Sequence, residues 1–222
     1  MTLTIDPRFC GPDGSGNGGY TCGIVAAHVD GPSVEVTLHL PPPLGRPLTI
    51  RGGDPVTLWD ADAHVATARP TELELELPEP VSFAEAEAAH LPQGDTESPY
   101  PNCFVCGRDR ADGLRLFPGP VPGRGLVAAP WEPAPDAIGP EFVWAALDCP
   151  GAYGSGALGR GEPLLGRLAV RVDGVPEPGE RCVVLGWGLG EDGRKVYAGT
   201  ALFGESGRVL GYGRATWILP RA

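Results

Sequence analysis

The chain of 222 residues is long enough to bury a substantial core, as one large domain or two small ones. Its net charge of −11 comes mostly from one stretch: positions 71–97 hold eight acids (Glu72, Glu74, Glu76, Glu79, Glu85, Glu87, Asp95 and Glu97) and no Lys or Arg. The remainder carries 20 acids against 17 bases, so there is no basic stripe for nucleic acid to use. No apolar run approaches the roughly 18 residues of a membrane helix, and positions 1–10 lack a signal-peptide pattern, so a cytoplasmic protein is expected. Six cysteines at this length are too sparse for a disulfide framework and are expected to be reduced.

Residues 1–16, rich in Gly, Pro and Asp, read as an irregular lead-in. Asn17 is then a good N-cap, and Tyr20, Ile24, Ala27 and His28 fall at helical spacing, predicting a helix over 17–29. Gly18 and Gly19 leave the first-turn N–H groups uncovered by side chains, at the positive end of the helix dipole. That is a ready site for an anion or an oxyanion.

After Gly31 and Pro32 the period changes to two. Val34, Val36, Leu38 and Leu40 alternate with polar residues in a half-buried strand that ends at the prolines 41–43. Strands are expected at 48–51, 56–59 and 64–68, with a hairpin turn at 60–62; 71–77 is a strand or an extended exit. Residues 78–102 read as a solvated, acidic linker in which 82–90 forms a short surface helix.

Cys103-x-x-Cys106 is a weak zinc signal, because a structural site needs four ligands and no second pair follows. Packed or turn-forming thiols are expected there, and no metal. Short strands are expected at 114–117 and 126–129. Residues 139–158 form an apolar segment with one central acid, Asp148, between Trp144 and Cys149. Pro140 suits a first helical turn, while Pro150 should kink or stop the helix near Cys149. A carboxylate in such company is either desolvated or hydrogen-bonded for a purpose. Four strands, 164–172, 182–189, 195–203 and 209–219, complete the chain, with turns at 176–179, 190–193 and 204–207.

Both halves therefore read as a lead-in, one helix, then a run of antiparallel strands. In this order the chain resembles the hot-dog fold, in which a curved sheet wraps a single helix. Two copies in one chain look like the double hot-dog arrangement of acyl-CoA thioesterases. The implied class is α+β, a tandem hot-dog with halves 1–77 and 103–222 joined by the linker 78–102. Thioesterases of the phenylacetic-acid-pathway type carry His-Gly-Gly at the helix start and an acid seven residues after the second Gly. Their site is shared, with the Gly N–H of one hot dog facing the acid of its neighbour. Here Asn17-Gly18-Gly19 matches the first part, with Asn for His, while the acid position falls on Ala26. In the second half Asp148 matches the acid, and Pro140-Glu141 occupies the glycine positions. The resemblance thus implies one composite site, Gly19 facing Asp148, and a dead mirror site at Ala26.

Thioester hydrolysis needs a polarised carbonyl and an activated water. A backbone N–H at a helix start contributes about 3 kcal/mol to an oxyanion in other hydrolases. Asp148 can serve as general base or as direct nucleophile. Asn17 takes the place of the family's thioester-positioning His. Gly18, Tyr20, Trp144, Cys149, Tyr153 and Ser155 are the candidates to line the substrate pocket. Cys149 as nucleophile is disfavoured, since no His lies at a spacing that argues for a Cys–His pair. The expected substrate is a small-molecule acyl thioester on CoA or an acyl carrier, with no cofactor, and the family adds the expectation of a homodimer. A binding module that keeps the acyl tunnel without turnover is the alternative. A hydratase or dehydratase ranks last, because it wants a His beside an acid and none of the four His lies in a helix-start motif.

Overall fold

The computed structural model describes residues 1–92 and 98–221; Asp95 and Glu97 of the acidic run lie outside them. Eleven strands form one antiparallel sheet. They are β1 (Thr2–Thr4), β2 (Val34–Leu38), β3 (Pro47–Arg51), β4 (Val56–Asp60), β5 (Ala63–Pro70), β6 (Gly119–Pro120), β7 (Val127–Trp131), β8 (Leu164–Val172), β9 (Cys182–Asp192), β10 (Lys195–Phe203) and β11 (Val209–Ile218). The helices are α1 (Gly18–Ala26), α2 (Phe83–Ala89), α3 (Pro140–Ala146) and α4 (Cys149–Gly154).

The strand order is β1-β3-β4-β5-β2-β8-β11-β10-β9-β7-β6. It contains a repeat. In the first half β1, helix α1 and β2 to β5 give the order β1-β3-β4-β5-β2; in the second, β7, helices α3 and α4, and β8 to β11 give β7-β9-β10-β11-β8. The second strand of each set is its inner edge, and these two edges pair from Val34↔Val170 to Thr37↔Arg167. Edge pairing removes two rows of unpaired backbone groups that would otherwise face water or another chain. On the seam Glu35, nearly buried, receives Arg69 Nη2 from β5 at 2.8 Å and faces Arg167 Nη1 from β8 at 3.6 Å.

The apolar alternation read in β2 is also what builds this seam. Val36 and Leu168 are fully buried and directly opposed across it. Leu168→Ala should cost about 3 kcal/mol, the middle of the range for a buried Leu, and lower the melting temperature by roughly 6–12 °C. Thermal denaturation checks this, and a shift below about 2 °C would mean the seam contributes little.

Proline chemistry breaks the second central helix. Pro150 lacks an N–H, and its ring would meet the carbonyl four residues back, at Ala146. Helix α3 ends at that residue, and Pro150 sits in the first turn of α4, where no N–H is needed. The carbonyl of Leu147, freed at the break, accepts from Thr200 Oγ1 at 2.9 Å. Asp148 is left between the two helices in a backbone conformation that is neither helical nor extended, φ −82° and ψ −84°, and does not cap α4 with its side chain.

Several expectations needed correction. The lead-in contains β1, which pairs with β3 through Thr2↔Thr49, a strand too short to show a period. Residues 71–77 form no strand, which leaves the extended-exit alternative, and 114–117 are irregular rather than a strand. Helix α2 has the capping box of Ser82 and Glu85, but its segment is not merely solvated. Val81 and Ala86 are buried against Leu126, Ala128, Val183 and Phe203 on the outer face of the second half-sheet. Alternating acids had masked that apolar face. No described helix is long and apolar enough to cross a membrane.

Candidate active site

Helices α1 and α3 cross at two glycines of α1. A Cβ on Gly19 would stand 2.5 Å from Asp148 Cβ and 2.6 Å from the Trp144 carbonyl, and one on Gly23 would stand 2.7 Å from Glu141 Cα. The helix backbones approach this closely only because neither position carries a side chain. This close crossing delivers the start of α1 to the break between α3 and α4.

There Asp148 Oδ2 accepts from Gly19 N–H at 2.9 Å and from Asn17 Nδ2 at 3.0 Å. Asn17 is itself held, since its Oδ1 caps α1 by accepting from Tyr20 N–H at 2.8 Å. The amide also donates to Cys103 Sγ at 3.7 Å. Asp148 is 2% exposed, and its other oxygen, Oδ1, is buried without a partner. Burial pushes this carboxyl up to about 7, against the Gly19 and Asn17 hydrogen bonds that favour its charged form; nearby Cys103 adds to the rise. The acid therefore exchanges its proton near neutral pH.

A cavity of about 480 Å³, a common size for small-molecule sites, opens onto this carboxyl. Its walls come from both half-sheets. Leu38 and Leu40 contribute from the end of β2, Leu165 from β8, and Trp217 from β11. Trp217 Nε1 is buried without a partner, so a donor and the Asp148 oxygen both remain unsatisfied on one cavity. Arg194, the one guanidinium among the described lining residues, is fixed there by a 2.9 Å bond to the Leu219 carbonyl.

Asn17, Gly18, Asp148 and Cys149 all line this cavity; Tyr20, Trp144, Tyr153 and Ser155 are not among its lining residues. Tyr20 stacks on Phe9 at 3.9 Å between centroids, in an aromatic cluster with Phe104 and Phe142. Trp144 packs against Gly23, and Ser155 Oγ donates back to the Gly151 carbonyl at 2.7 Å. Tyr153 lies half-buried beside the thiols, its hydroxyl without a partner.

Those thiols are what the sequence reading missed. Cys103, Cys106 and Cys149 are all buried, with their Sγ atoms within 4.8 Å of one another and Cys103 and Cys149 3.8 Å apart. Hydrogen bonds from the other two thiols hold Cys103 well below the usual thiol range, and the same contacts with Cys103 push Cys106 and Cys149 well above it. Cys10 and Cys22 are not in the cluster. Cys149 lies 43 positions beyond Cys106, and no local spacing announces it.

The sequence matches no protein-family model and no curated protein. Solved structures do match over nearly the whole chain. A hot-dog-fold protein of unknown function from Alicyclobacillus acidocaldarius superposes with a TM-score of 0.61 at 11% identity, covering 100% of this chain and 93% of that one. The chain has the hot-dog fold. Two further solved structures carry descriptions as proposed thioesterases. The one from Novosphingobium aromaticivorans has a TM-score of 0.65 at 15% identity, over 99% of this chain and 95% of that one. The other, a thioesterase II from Thermobifida fusca, has a TM-score of 0.63 at 17% identity, over 99% and 92%. At such identities the likeness is one of fold.

A second groove runs beside helices α1 and α3. It is bordered by Ala26, Pro140 and Glu141, and by Trp144 and Val170.

Proposed function

We propose that the protein hydrolyses acyl thioesters, carried on CoA or an acyl carrier, at the single composite site of Asp148, Gly19 and Asn17. The observation that carries this reading is a buried carboxyl, poised near neutral pH and hydrogen-bonded to a helix-start N–H, on a residue that lines a ligand-sized cavity. The strand-order repeat supports a tandem of two hot-dog halves, 1–77 and 103–222, around the linker 78–102. In this reading the protein acts in the cytoplasm, and its homodimers form from tandem chains.

Ionised Asp148 takes a proton from a water held at Oδ1, and that water's oxygen attacks the thioester carbonyl carbon. As the carboxyl gains the proton it becomes a weaker acceptor, so Gly19 N–H and Asn17 Nδ2 are released toward the oxyanion that is forming. Trp217 Nε1 is a further donor on the same wall. When the tetrahedral intermediate collapses, the C–S bond breaks, and the departing thiolate takes the proton back from Asp148. An anhydride formed by direct attack of Asp148 uses the same groups.

The test is loss of thioester absorbance across a panel of acyl-CoAs, which avoids interference from the protein's own six cysteines. Turnover is expected, with kcat/KM rising about tenfold per pH unit and levelling near pH 7 as Asp148 ionises. Binding of acyl-CoA without turnover would replace this reading with that of a ligand-holding hot dog. Absence of both would reject it.

A further inference from the structure

We propose that Cys103, Cys106 and Cys149 bind one divalent zinc ion as three thiolates, with a fourth position reached from the cavity. Four independent features of the cluster point to a metal rather than to packing. The first is spacing. A tetrahedral zinc with bonds of about 2.3 Å places its sulfurs about 3.8 Å apart, the separation found between Cys103 and Cys149. Cys106 Sγ lies within 4.8 Å of both, so closing the triangle takes about 1 Å of thiol movement.

The second feature is the loop that presents two of the sulfurs. Only Phe104 and Val105 separate Cys103 from Cys106, and both sulfurs of this short loop converge on Cys149. Gly107 N–H closes the turn on the Cys103 carbonyl at 2.7 Å. A Cβ at Gly107 would stand 2.4 Å from that same carbonyl oxygen, so the tight turn requires glycine after the second cysteine. The loop is anchored from outside as well, by Phe104 N–H on the Cys10 carbonyl at 2.7 Å.

The third feature is the surrounding polar shell. Asn17 Nδ2 reaches Cys103 Sγ at 3.7 Å and Ser98 Oγ lies 3.4 Å from Cys106 Sγ, the kind of contacts that orient metal-bound sulfur. Asn17 thereby has a use for each of its polar atoms: its oxygen caps α1, and its NH2 serves both Asp148 and Cys103. The fourth feature is access. Cys103 and Cys149 line the 480 Å³ cavity while Cys106 does not, so an entering ion and an exogenous ligand arrive on that side.

Thiolates select soft or borderline ions, and three of them with an open position suit zinc. Thiols give up their protons when they bind a metal, so zinc binding releases protons from the cluster. The ion would pin the loop 103–107 to helix α4 at the base of the cavity. The inference stands apart from the hydrolytic reading, because its test uses no substrate.

Native protein, stripped with a chelator and kept reduced by a phosphine, is titrated with cobalt(II) and then with zinc(II). We expect one equivalent of cobalt to produce a sulfur-to-metal charge-transfer band, which zinc then abolishes stoichiometrically. Cys106→Ser should weaken cobalt binding by at least about 100-fold, more than loss of an outer-shell partner does. Cys182→Ser, which removes a buried thiol outside the cluster, should leave the band unchanged. Azide should shift the cobalt spectrum by taking the fourth position. No band in the native protein, or an equal band in Cys106→Ser, overturns the site. A cobalt spectrum indifferent to azide overturns the open position. Because the native titration is decisive by itself, a misfolded variant does not rescue the idea.

Discussion

Asp148→Asn is expected to reduce acyl-thioester turnover by about three orders of magnitude while making the protein more heat-stable above pH 7. The activity loss follows because an amide accepts no proton from water, and the step it leaves uncatalysed is the general-base step. The stability gain follows from burial. The folded carboxyl titrates at about 7 against 3.8 for the free group, so the folded state binds the Asp148 proton more tightly than the unfolded chain does. Protonated Asp148 thus favours the fold. That contribution is fully present below about pH 4 and is lost as the pH rises to about 7.

With about 1.4 kcal/mol per unit, the ionised group costs the folded state about 4 kcal/mol at pH 8. An Asn side chain keeps an oxygen for Gly19 and Asn17 but places an N–H2 where Oδ1 has no partner. That unsatisfied donor costs about 2 kcal/mol. The desolvation term is the larger, leaving a net gain of about 2 kcal/mol, or roughly 4–8 °C at pH 8 for a chain of this size. At pH 4 the difference should disappear or reverse. Melting curves of both proteins at the two pH values check the sign, and a variant less stable at both would refute the assigned environment of Asp148.

Gly19→Ala should be the most damaging single methyl group in the first helix. Taken alone, the change favours a helix by about 1 kcal/mol. The added Cβ, however, meets Asp148 Cβ at 2.5 Å and the Trp144 carbonyl at 2.6 Å, both attached to a crossing backbone that cannot simply rotate away. Overpacking of this kind costs about 3 kcal/mol. The clash wins, and a loss of about 2 kcal/mol, or roughly 4–8 °C, is expected. Turnover should fall with it, since the same methyl separates the Gly19 N–H from the carboxylate. Gly52→Ala, where a Cβ meets nothing within 4 Å, should stay within about 0.5 kcal/mol of native. Equal melting temperatures for the two variants would mean that α1 and α3 do not need their close crossing.

Residue type and spacing made much of the fold legible. Strands β2 to β5 and β8 to β11 announce themselves as short apolar runs bounded by Gly and Pro turns, and the helix break at 147–148 follows from Pro150 alone. Elements lacking their own pattern stayed hidden: β1 has only three residues, and the apolar side of α2 was obscured by its acids.

The sequence by itself determined which groups exist to do chemistry: the acid Asp148 in an apolar segment interrupted by Pro150, and two glycines behind an Asn cap at a helix start. It determined this because charge, side-chain volume and N-capping are local properties of the residues concerned. What only the tertiary structure decided is who meets whom. Gly19 reaches Asp148 across 129 positions because β2 and β8 pair edge to edge and bring the two central helices into contact. Cys149 joins Cys103 and Cys106 for the same reason, since the break that frees Asp148 also turns the neighbouring thiol toward the loop. Long-range contacts of this kind are set by sheet register and helix crossing, and no single segment of the chain encodes them.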